Sequence, residues 1–140
     1  MNYNIWFWII IGILIFNFAL TVLLNYLNIK NLKSSLPDEV SDIYDSNKYE
    51  KSQRYTKTNT KFSFITGSFS FVVILLMLFL GGFNFFDKLA IHYVGDTPIT
   101  TSLFFFLFIF IGNELISLPF SIYDTFVIEK KFGFNKTTKK

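Results

Sequence analysis

Residues 103–120 read LFFFLFIFIGNELISLPF, a nearly continuous apolar run of about the length that crosses the hydrocarbon core of a bilayer. Two further apolar runs extend from Ile5 to Leu27 and from Phe62 to Phe86. The whole chain is 51% hydrophobic and 16% charged, which exceeds the apolar share of about 45–50% in soluble domains. We therefore predict an all-α, multi-pass membrane protein. Its three transmembrane helices are expected at about residues 5–27, 62–86 and 101–126.

Basic residues flank the predicted spans. The loop of residues 28–61 holds seven Lys or Arg and five acids, the C-terminal tail holds five Lys, and the loop between the second and third spans holds only Lys88. By the positive-inside rule, the N-terminus lies outside, and the first loop and the C-terminus are cytoplasmic. Because these basic residues lie at membrane ends and are mixed with acids, we expect contact with the lipid bilayer and not with nucleic acid. The abundance of Asn, Lys, Ile, Phe and Tyr suits an AT-rich genome, so a bacterial inner membrane is the expected location.

The first loop carries helix signals of its own, so we predict a helical loop on the cytoplasmic side. Pro37-Asp38-Glu39 is typical of a helix start, since Pro is tolerated in the first turn and acids are favourable at the positive end of the helix dipole. Asp45 and Ser46 are predicted caps of another helix, which begins at about Lys48 and runs into the second span. This amphipathic helix suits two roles, anchoring on anionic lipid or contact with a neighbouring domain.

Residues 87–100 are predicted to form a short outer loop. Its sequence Gly95-Asp96-Thr97-Pro98 favours a turn, because Gly, Asp and Pro each suit turn geometry for separate reasons. The single histidine of the chain, His92, lies in this loop and is expected to face solvent or headgroups.

Glu114 lies about 16 Å into the third apolar run at about 1.5 Å per residue, which places it near the bilayer centre. Intramembrane acids usually face a bundle interior or a watery cavity. Pro119 removes the amide that would bond to the carbonyl of Leu115, so a kink is expected there. One side of this helix is polar: Asn113, Glu114, Ser117, Ser121 and Asp124.

Two readings of this polar side stay open. Glu114 and its neighbours line a chamber or bind the polar stripe of another helix, or Glu114 only hydrogen-bonds to a nearby helix through Asn17 or Asn25. The first span offers such a stripe, which prefers protein to lipid: Asn17, Thr21, Asn25 and Asn28.

Catalysis by this chain alone can be tested by counting residues. A zinc site of the H-E-x-x-H kind needs two imidazoles one helical turn apart, and the sequence has one His and no Cys. The sequence also lacks G-x-S-x-G, a P-loop and G-x-G-x-x-G. We therefore expect no catalytic, cofactor-binding or metal-binding residue in this chain and no activity from it alone.

The end of the third span supports a family assignment. Ser-Leu-Pro at residues 117–119, Tyr123, Thr-Phe-Val-Ile-Glu at 125–129 and Phe-Gly-Phe-Asn-Lys-Thr at 132–137 resemble the N-terminal membrane domain of the zinc-dependent type I CAAX prenyl proteases. Upstream, the segment from Asp45 to Phe64 also looks like the region before that family's second membrane helix. The resemblance covers roughly residues 27–137.

The resemblance implies a fold of membrane helices that wall a large water-filled chamber. Family members cleave the C-terminal tripeptide after the lipidated cysteine of C-a-a-X proteins, and their bacterial relatives are linked to membrane-protein quality control. The family's zinc motif lies later in the chain than Lys140. We therefore expect residues 1–140 to be an N-terminal transmembrane domain that stops before the catalytic domain, with zinc bound in that missing part.

By the same resemblance, five residues are expected to contribute to chamber lining or to docking of the catalytic zinc-protease portion: Glu114, Tyr123, Asp124, Glu129 and Asn135. The alternative is a small membrane adaptor or assembly protein that acts by itself and without enzymatic activity. A third possibility is an inactive remnant. The sequence gives no expectation for the oligomeric state.

Overall fold

The computed structural model describes residues 4–32 and 45–135. Within these ranges the fold is all-helical, as predicted, and contains no strand. The elements are α1 (Ile5–Asn31), α2 (Ser46–Phe79), α3 (Gly82–Val94), α4 (Pro98–Tyr123) and a π-helical segment (Asp124–Glu129). The predicted helix start at Pro37 lies outside the described residues.

Three helical stretches are long and apolar enough to cross a membrane, namely Ile5–Asn31, Ser46–Phe79 and Pro98–Glu129. The prediction of three spans is therefore confirmed by length and composition. The remaining helix, α3, has 13 residues and a length of about 20 Å, which is short of the about 30 Å hydrocarbon core. It packs against α4.

Side-chain caps fix the starts of α1 and α2. The Asn4 Oδ1 atom accepts a hydrogen bond from the amide of Phe7 at 3.1 Å. The Asp45 Oδ1 atom accepts from the amides of Asn47 at 2.9 Å and Lys48 at 3.4 Å, which satisfies amides that have no partner in the helix. The predicted cap at Asp45 is confirmed, and so is the continuous helix from the first loop into the second span.

The predicted end of the second span at Phe86 is wrong. Helix α2 ends at Phe79, and Gly81 takes a left-handed φ of +74°, which a residue with a Cβ rarely adopts. Because this residue turns the chain, the apolar residues that follow enter the separate helix α3.

The predicted outer loop of residues 87–100 is wrong for most of its length. Residues up to Val94 belong to α3, which packs against α4 with Ala90 fully buried and with Phe86 and Val94 half-buried. Only the turn is confirmed, where Gly95 has a φ of +76° and Pro98 begins α4. The Thr101 hydroxyl donates to the carbonyl of Gly95 at 2.9 Å and ties the turn to α4.

Aromatic pairs join the long helices along their length. Phe18 of α1 stacks on Phe71 of α2 with ring centroids 4.2 Å apart. Two residues earlier on α2, Phe69 meets Phe120 of α4 with ring centroids 5.1 Å apart. Many other large apolar side chains remain exposed on the helix surfaces, as expected for faces that meet lipid. The described apolar residues that are buried form a short set: Ile11, Ala90, Ile128 and Phe132.

Candidate functional site

The end of the third span changes its hydrogen-bond pattern. Helix α4 continues through Pro119 to Tyr123, and the next six residues, Asp124–Glu129, are π-helical. A π-helical turn is rare and often occurs at functional sites, because its wider turn displaces side chains from their α-helical positions. The predicted site residues Tyr123, Asp124 and Glu129 all lie at or within this change.

Residues 130–135, which we call the tail turn, stop the helix with a Schellman motif. Gly133 has a left-handed φ of +72°. The Phe134 amide donates to the carbonyl of Glu129 at 2.9 Å, and the Gly133 amide donates to that of Lys130 at 3.1 Å. These are the two bonds that define the motif, and glycine at its left-handed position avoids a Cβ clash. The Phe-Gly-Phe-Asn sequence is therefore a defined helix stop.

Asn135 folds back onto the π-helical segment. Its side-chain Nδ2 donates to the carbonyl of Thr125 at 2.8 Å, ten residues earlier. Its own amide lies 3.4 Å from the carbonyl of Glu129. The structure thus brings the predicted residues Glu129 and Asn135 together, but through the Glu129 backbone and not its carboxylate. Both residues hold the tail turn in place.

Aromatic rings fasten the tail turn to α2. Phe132 is buried, and its ring meets Tyr55 edge-on with centroids 5.4 Å apart. The Phe134 ring lies 4.7 Å from the same tyrosine, and the Lys51 ammonium lies 5.8 Å from the Phe134 centroid. We call this set of contacts the aromatic clip. It joins the end of the third span to the beginning of α2, so the chain leaves the membrane at a fixed place.

Tyr123 and Asp124 lie where α4 passes into the π-helical segment, before the aromatic clip in the chain. The Tyr123 ring is half exposed and stacks on Phe62 of α2 at 5.2 Å. The Asp124 Oδ1 atom is buried and has no hydrogen-bond donor among residues 4–32 and 45–135. Because buried polar atoms are almost always hydrogen-bonded, this oxygen is suited to a donor from another group.

Glu114 is remote from the other predicted site residues. Ten residues separate it from Asp124, which is about 15 Å along a helix. It is exposed, and its carbonyl accepts from the Ser117 hydroxyl at 3.2 Å. Within the described parts of the chain, its carboxylate makes no hydrogen bond to Asn17 or Asn25. The role of Glu114 in a chamber or in docking therefore stays a prediction.

The polar stripe of α1 faces the small residues of α2. A cleft of about 220 Å³ lies between the two helices, and Thr21 donates its hydroxyl to the carbonyl of Asn17 at 3.0 Å there. Polar or small residues line much of it: Asn17, Thr21, Asn25, Ser63, Gly67 and Ser68. Asn17 and Thr21 are exposed beside this cleft and Asn25 is half-buried, so the expectation that the stripe faces protein stays a prediction.

Sequence reasoning missed the aromatic clip as a tertiary contact. Tyr55 is visible as part of an amphipathic helix, and the sequence alone does not reveal that Phe132 covers it. It also missed a group of cations beside the clip, from Lys51, Arg54 and Lys131. The only signal was the spacing of Lys51 and Arg54, which puts both on one helix face.

The described residues do not fit a metal site. Among residues 4–32 and 45–135, no group of three or more His, Cys, Asp or Glu side chains lies close enough to hold a metal ion. Zinc sites in proteins use such donors, three or four at a time.

Comparison with known proteins gives a consistent picture. The family described as CAAX prenyl protease N-terminal, five membrane helices, matches residues 25–140. The CAAX prenyl protease 1 homolog of Homo sapiens is 38% identical over 109 residues, which cover 74% of this chain and 23% of that protein. The probable CAAX prenyl protease 1 of Schizosaccharomyces pombe is 35% identical over 121 residues, which cover 78% of this chain and 26% of that protein.

A solved structure matches the fold over nearly the whole chain. The crystal structure of S. mikatae Ste24p superposes with a TM-score of 0.86 at 27% identity, and it covers 99% of this chain and 34% of the other. The chain thus spans about a quarter to a third of the proteins that it matches here. The two curated relatives are eukaryotic, so they lend no support to the predicted bacterial inner membrane.

Proposed function

The chain belongs to the CAAX prenyl protease family through its N-terminal membrane region, and from this premise we propose that it is the transmembrane scaffold of a zinc metalloendopeptidase. In this role the spans wall a substrate chamber, and the end of the third span presents a zinc-bearing catalytic part carried by sequence outside residues 1–140. The aromatic clip is the observation that carries the proposal. A scaffold must hold the segment that leads to the catalytic part at a fixed position, and the aromatic clip holds the tail turn against α2.

The proposed substrates are prenylated C-a-a-X proteins or other membrane proteins. The names of the curated relatives describe CAAX prenyl proteases, and a C-a-a-X motif is defined by lipidation of its cysteine. When bound in the catalytic part, zinc would activate a water molecule for hydrolysis. The residues of this chain would contribute the walls and the docking surface.

The five predicted site residues divide into two roles under this proposal. Asp124 suits docking, because its side chain is half-buried and its Oδ1 atom has no hydrogen-bond donor among residues 4–32 and 45–135. Tyr123 lies beside it with a half-exposed ring. Glu114 suits chamber lining, since an exposed acid within a span requires water or a polar partner. Glu129 and Asn135 hold the tail turn in position.

We also propose that the N-terminus lies outside and that the C-terminus is cytoplasmic. The aromatic clip puts the start of α2 and the end of the third span at one side of the membrane, and both ends are basic. The chain has no cysteine, so single cysteines can report the orientation. In sealed vesicles with the cytoplasmic side inward, Asp96→Cys should react with a membrane-impermeant maleimide and Lys130→Cys should react only after permeabilisation. The reverse labelling would refute this orientation.

A chimaera tests the scaffold function directly. The matching region of S. mikatae Ste24p is replaced by this chain, and cleavage of a farnesylated C-a-a-X peptide is measured together with zinc content. We expect a zinc-loaded enzyme with activity within about tenfold of the parent, because a scaffold of the same fold should preserve the geometry of the chamber to that extent. A chimaera that folds and binds zinc but leaves the peptide intact would contradict the proposal.

A second candidate function is a membrane adaptor that binds a partner helix. The open polar cleft between α1 and α2 favours it, since polar and small residues mediate contacts between membrane helices. This function predicts a stoichiometric complex in mild detergent that contains no protease subunit. Recovery of the chain with a zinc-protease part would favour the scaffold instead.

A further inference from the structure

A second feature of the clip region is a cleft that carries positive charge. It has a volume of about 250 Å³ and lies between the first turns of α2 and the tail turn. We call it the basic cleft, and its lining is Asn47, Glu50, Lys51, Arg54, Lys131 and Phe132. Three cations and one acid give the lining a formal charge of +2.

The positive charge of the basic cleft is largely unpaired. Arg54 approaches Glu50 at 3.8 Å, but both side chains are more than half exposed, and such surface pairs are weak. Within residues 4–32 and 45–135, neither Lys51 nor Lys131 forms an ion pair. An anion that enters the cleft would therefore not have to displace a strong protein partner.

The cations of the cleft are held in place by the aromatic clip. The Lys51 ammonium lies 5.8 Å from the ring centroid of Phe134, and the Lys131 ammonium lies 5.8 Å from that of Phe132. Contacts with aromatic faces stabilise a cation without neutralising its charge. Because Lys51 and Lys131 belong to separate elements, their approach depends on the tertiary contact of Tyr55 with Phe132.

The distance of the basic cleft from the hydrocarbon core restricts which ligands can reach it. Lys51 precedes Phe62, where the apolar run of α2 begins, by eleven residues, which is about 16 Å along the helix. The polar headgroup layer extends only about 5 to 8 Å beyond the hydrocarbon on each side. For a helix that stands upright in the membrane, an ordinary phosphodiester lies too close to the hydrocarbon to fill the cleft. The ligand must project farther or be soluble.

We propose that the basic cleft binds a phosphate monoester. Arg54 can hold two phosphate oxygens with its planar guanidinium, while Lys51 and Lys131 supply point charges and the Asn47 amide supplies a further donor. A phosphate monoester carries a charge of about −1.5 to −2 at pH 7, which matches the charge of the lining. Its source is either the projecting headgroup of a phosphorylated inositol lipid or a soluble phosphate compound.

The test uses the full 140-residue chain in phosphatidylcholine nanodiscs. The soluble probes are inorganic phosphate and inositol trisphosphate, measured by calorimetry. The lipid probe is phosphatidylinositol bisphosphate incorporated into the nanodiscs, compared with phosphatidylserine at equal surface charge. Saturable binding of either probe at one site supports the proposal. Binding of the soluble probes identifies a soluble source, and binding of the lipid alone identifies a headgroup.

Matched substitutions separate the cleft from general electrostatic attraction. Lys51→Gln and Lys131→Gln should each weaken binding by about tenfold or more, because each removes a charge-assisted hydrogen bond to phosphate. Lys57→Gln on the same helix and Lys130→Gln beside the tail turn remove the same charge outside the lining, and should weaken binding by less than about twofold. Equal losses in all four variants, or no saturable binding, would overturn the proposal. Circular dichroism confirms that each variant keeps its helices.

Discussion

The tail turn and the middle of the third span differ in how many of their side chains find packing or hydrogen-bond partners among the described residues. In the tail turn, Phe132 is buried against Tyr55, Gly133 closes a Schellman motif and Asn135 bonds to the π-helical segment. In the middle of the span, Glu114 is exposed, and the one side-chain hydrogen bond at this residue among the described residues runs from the Ser117 hydroxyl to its backbone carbonyl. Contacts within the chain therefore fix the end of the third span, whereas the Glu114 carboxylate requires water or a polar partner.

The largest expected effect comes from the buried ring of the aromatic clip. Phe132→Ala should lower the free energy of unfolding in detergent by about 3 kcal/mol, since it leaves a cavity beside Tyr55. Unfolding can be followed by circular dichroism with increasing denaturant. Phe106→Ala is the matched control, because Phe106 is exposed on α4 and should cost far less. Equal losses would mean that the tail turn is not a self-contained unit.

The next effect tests the left-handed glycine. Gly133→Ala should destabilise the chain by about 1–2 kcal/mol, because a Cβ is unfavourable at a φ of +72°. The same substitution at Gly12, inside α1 with open space around its Cβ position, should be neutral or stabilising. Thermal unfolding of the two variants compares them directly. A harmless Gly133→Ala would show that the Schellman turn does not stabilise the tail.

Asn135 should have a smaller effect. Asn135→Ala removes the hydrogen bond to the carbonyl of Thr125 and should cost about 1 kcal/mol. Hydrogen exchange should also accelerate in residues 124–129, because the π-helical segment loses one of its attachments to the tail turn. Asn113→Ala, on the exposed side of α4, provides the control. Unchanged exchange in the Asn135 variant would separate the tail turn from the π-helical segment.

Glu114 should have the smallest effect on stability. Glu114→Gln should change the free energy of unfolding of this chain by less than about 0.5 kcal/mol, because the carboxylate is exposed. In the Ste24p chimaera the same substitution should alter peptide cleavage if Glu114 lines the chamber. A large loss of stability in the isolated chain would place Glu114 among the residues that hold the fold, and would remove the contrast with the tail turn.

The sequence predicted the elements whose signals are local. The three apolar runs, the Asp45 cap and the turn at Gly95 each depend on neighbouring residues, and the structure confirms them. The predicted end of the second span is wrong because the apolar pattern continues across Gly81 and Gly82 into α3. The left-handed φ of Gly81 ends α2, and an apolar pattern gives no sign of that backbone angle.

The same distinction applies to the site. Tyr123, Asp124, Glu129 and Asn135 were named from one continuous stretch, and the structure joins Glu129 and Asn135 through a backbone carbonyl. The aromatic clip and the basic cleft were not foreseen, because Lys51 and Tyr55 are far in sequence from the tail turn. No helical periodicity relates residues at such a separation.

The sequence by itself determined that this is a membrane protein with three long apolar helical runs, since the cost of placing polar groups in hydrocarbon acts on every segment separately. Tertiary structure alone decided how the spans end and meet. The left-handed Gly81 separates α3 from α2, and the packing of Phe132 on Tyr55 draws Lys131 toward Lys51. These features depend on side chains that meet across the fold, and their energies exist only once the helices are side by side.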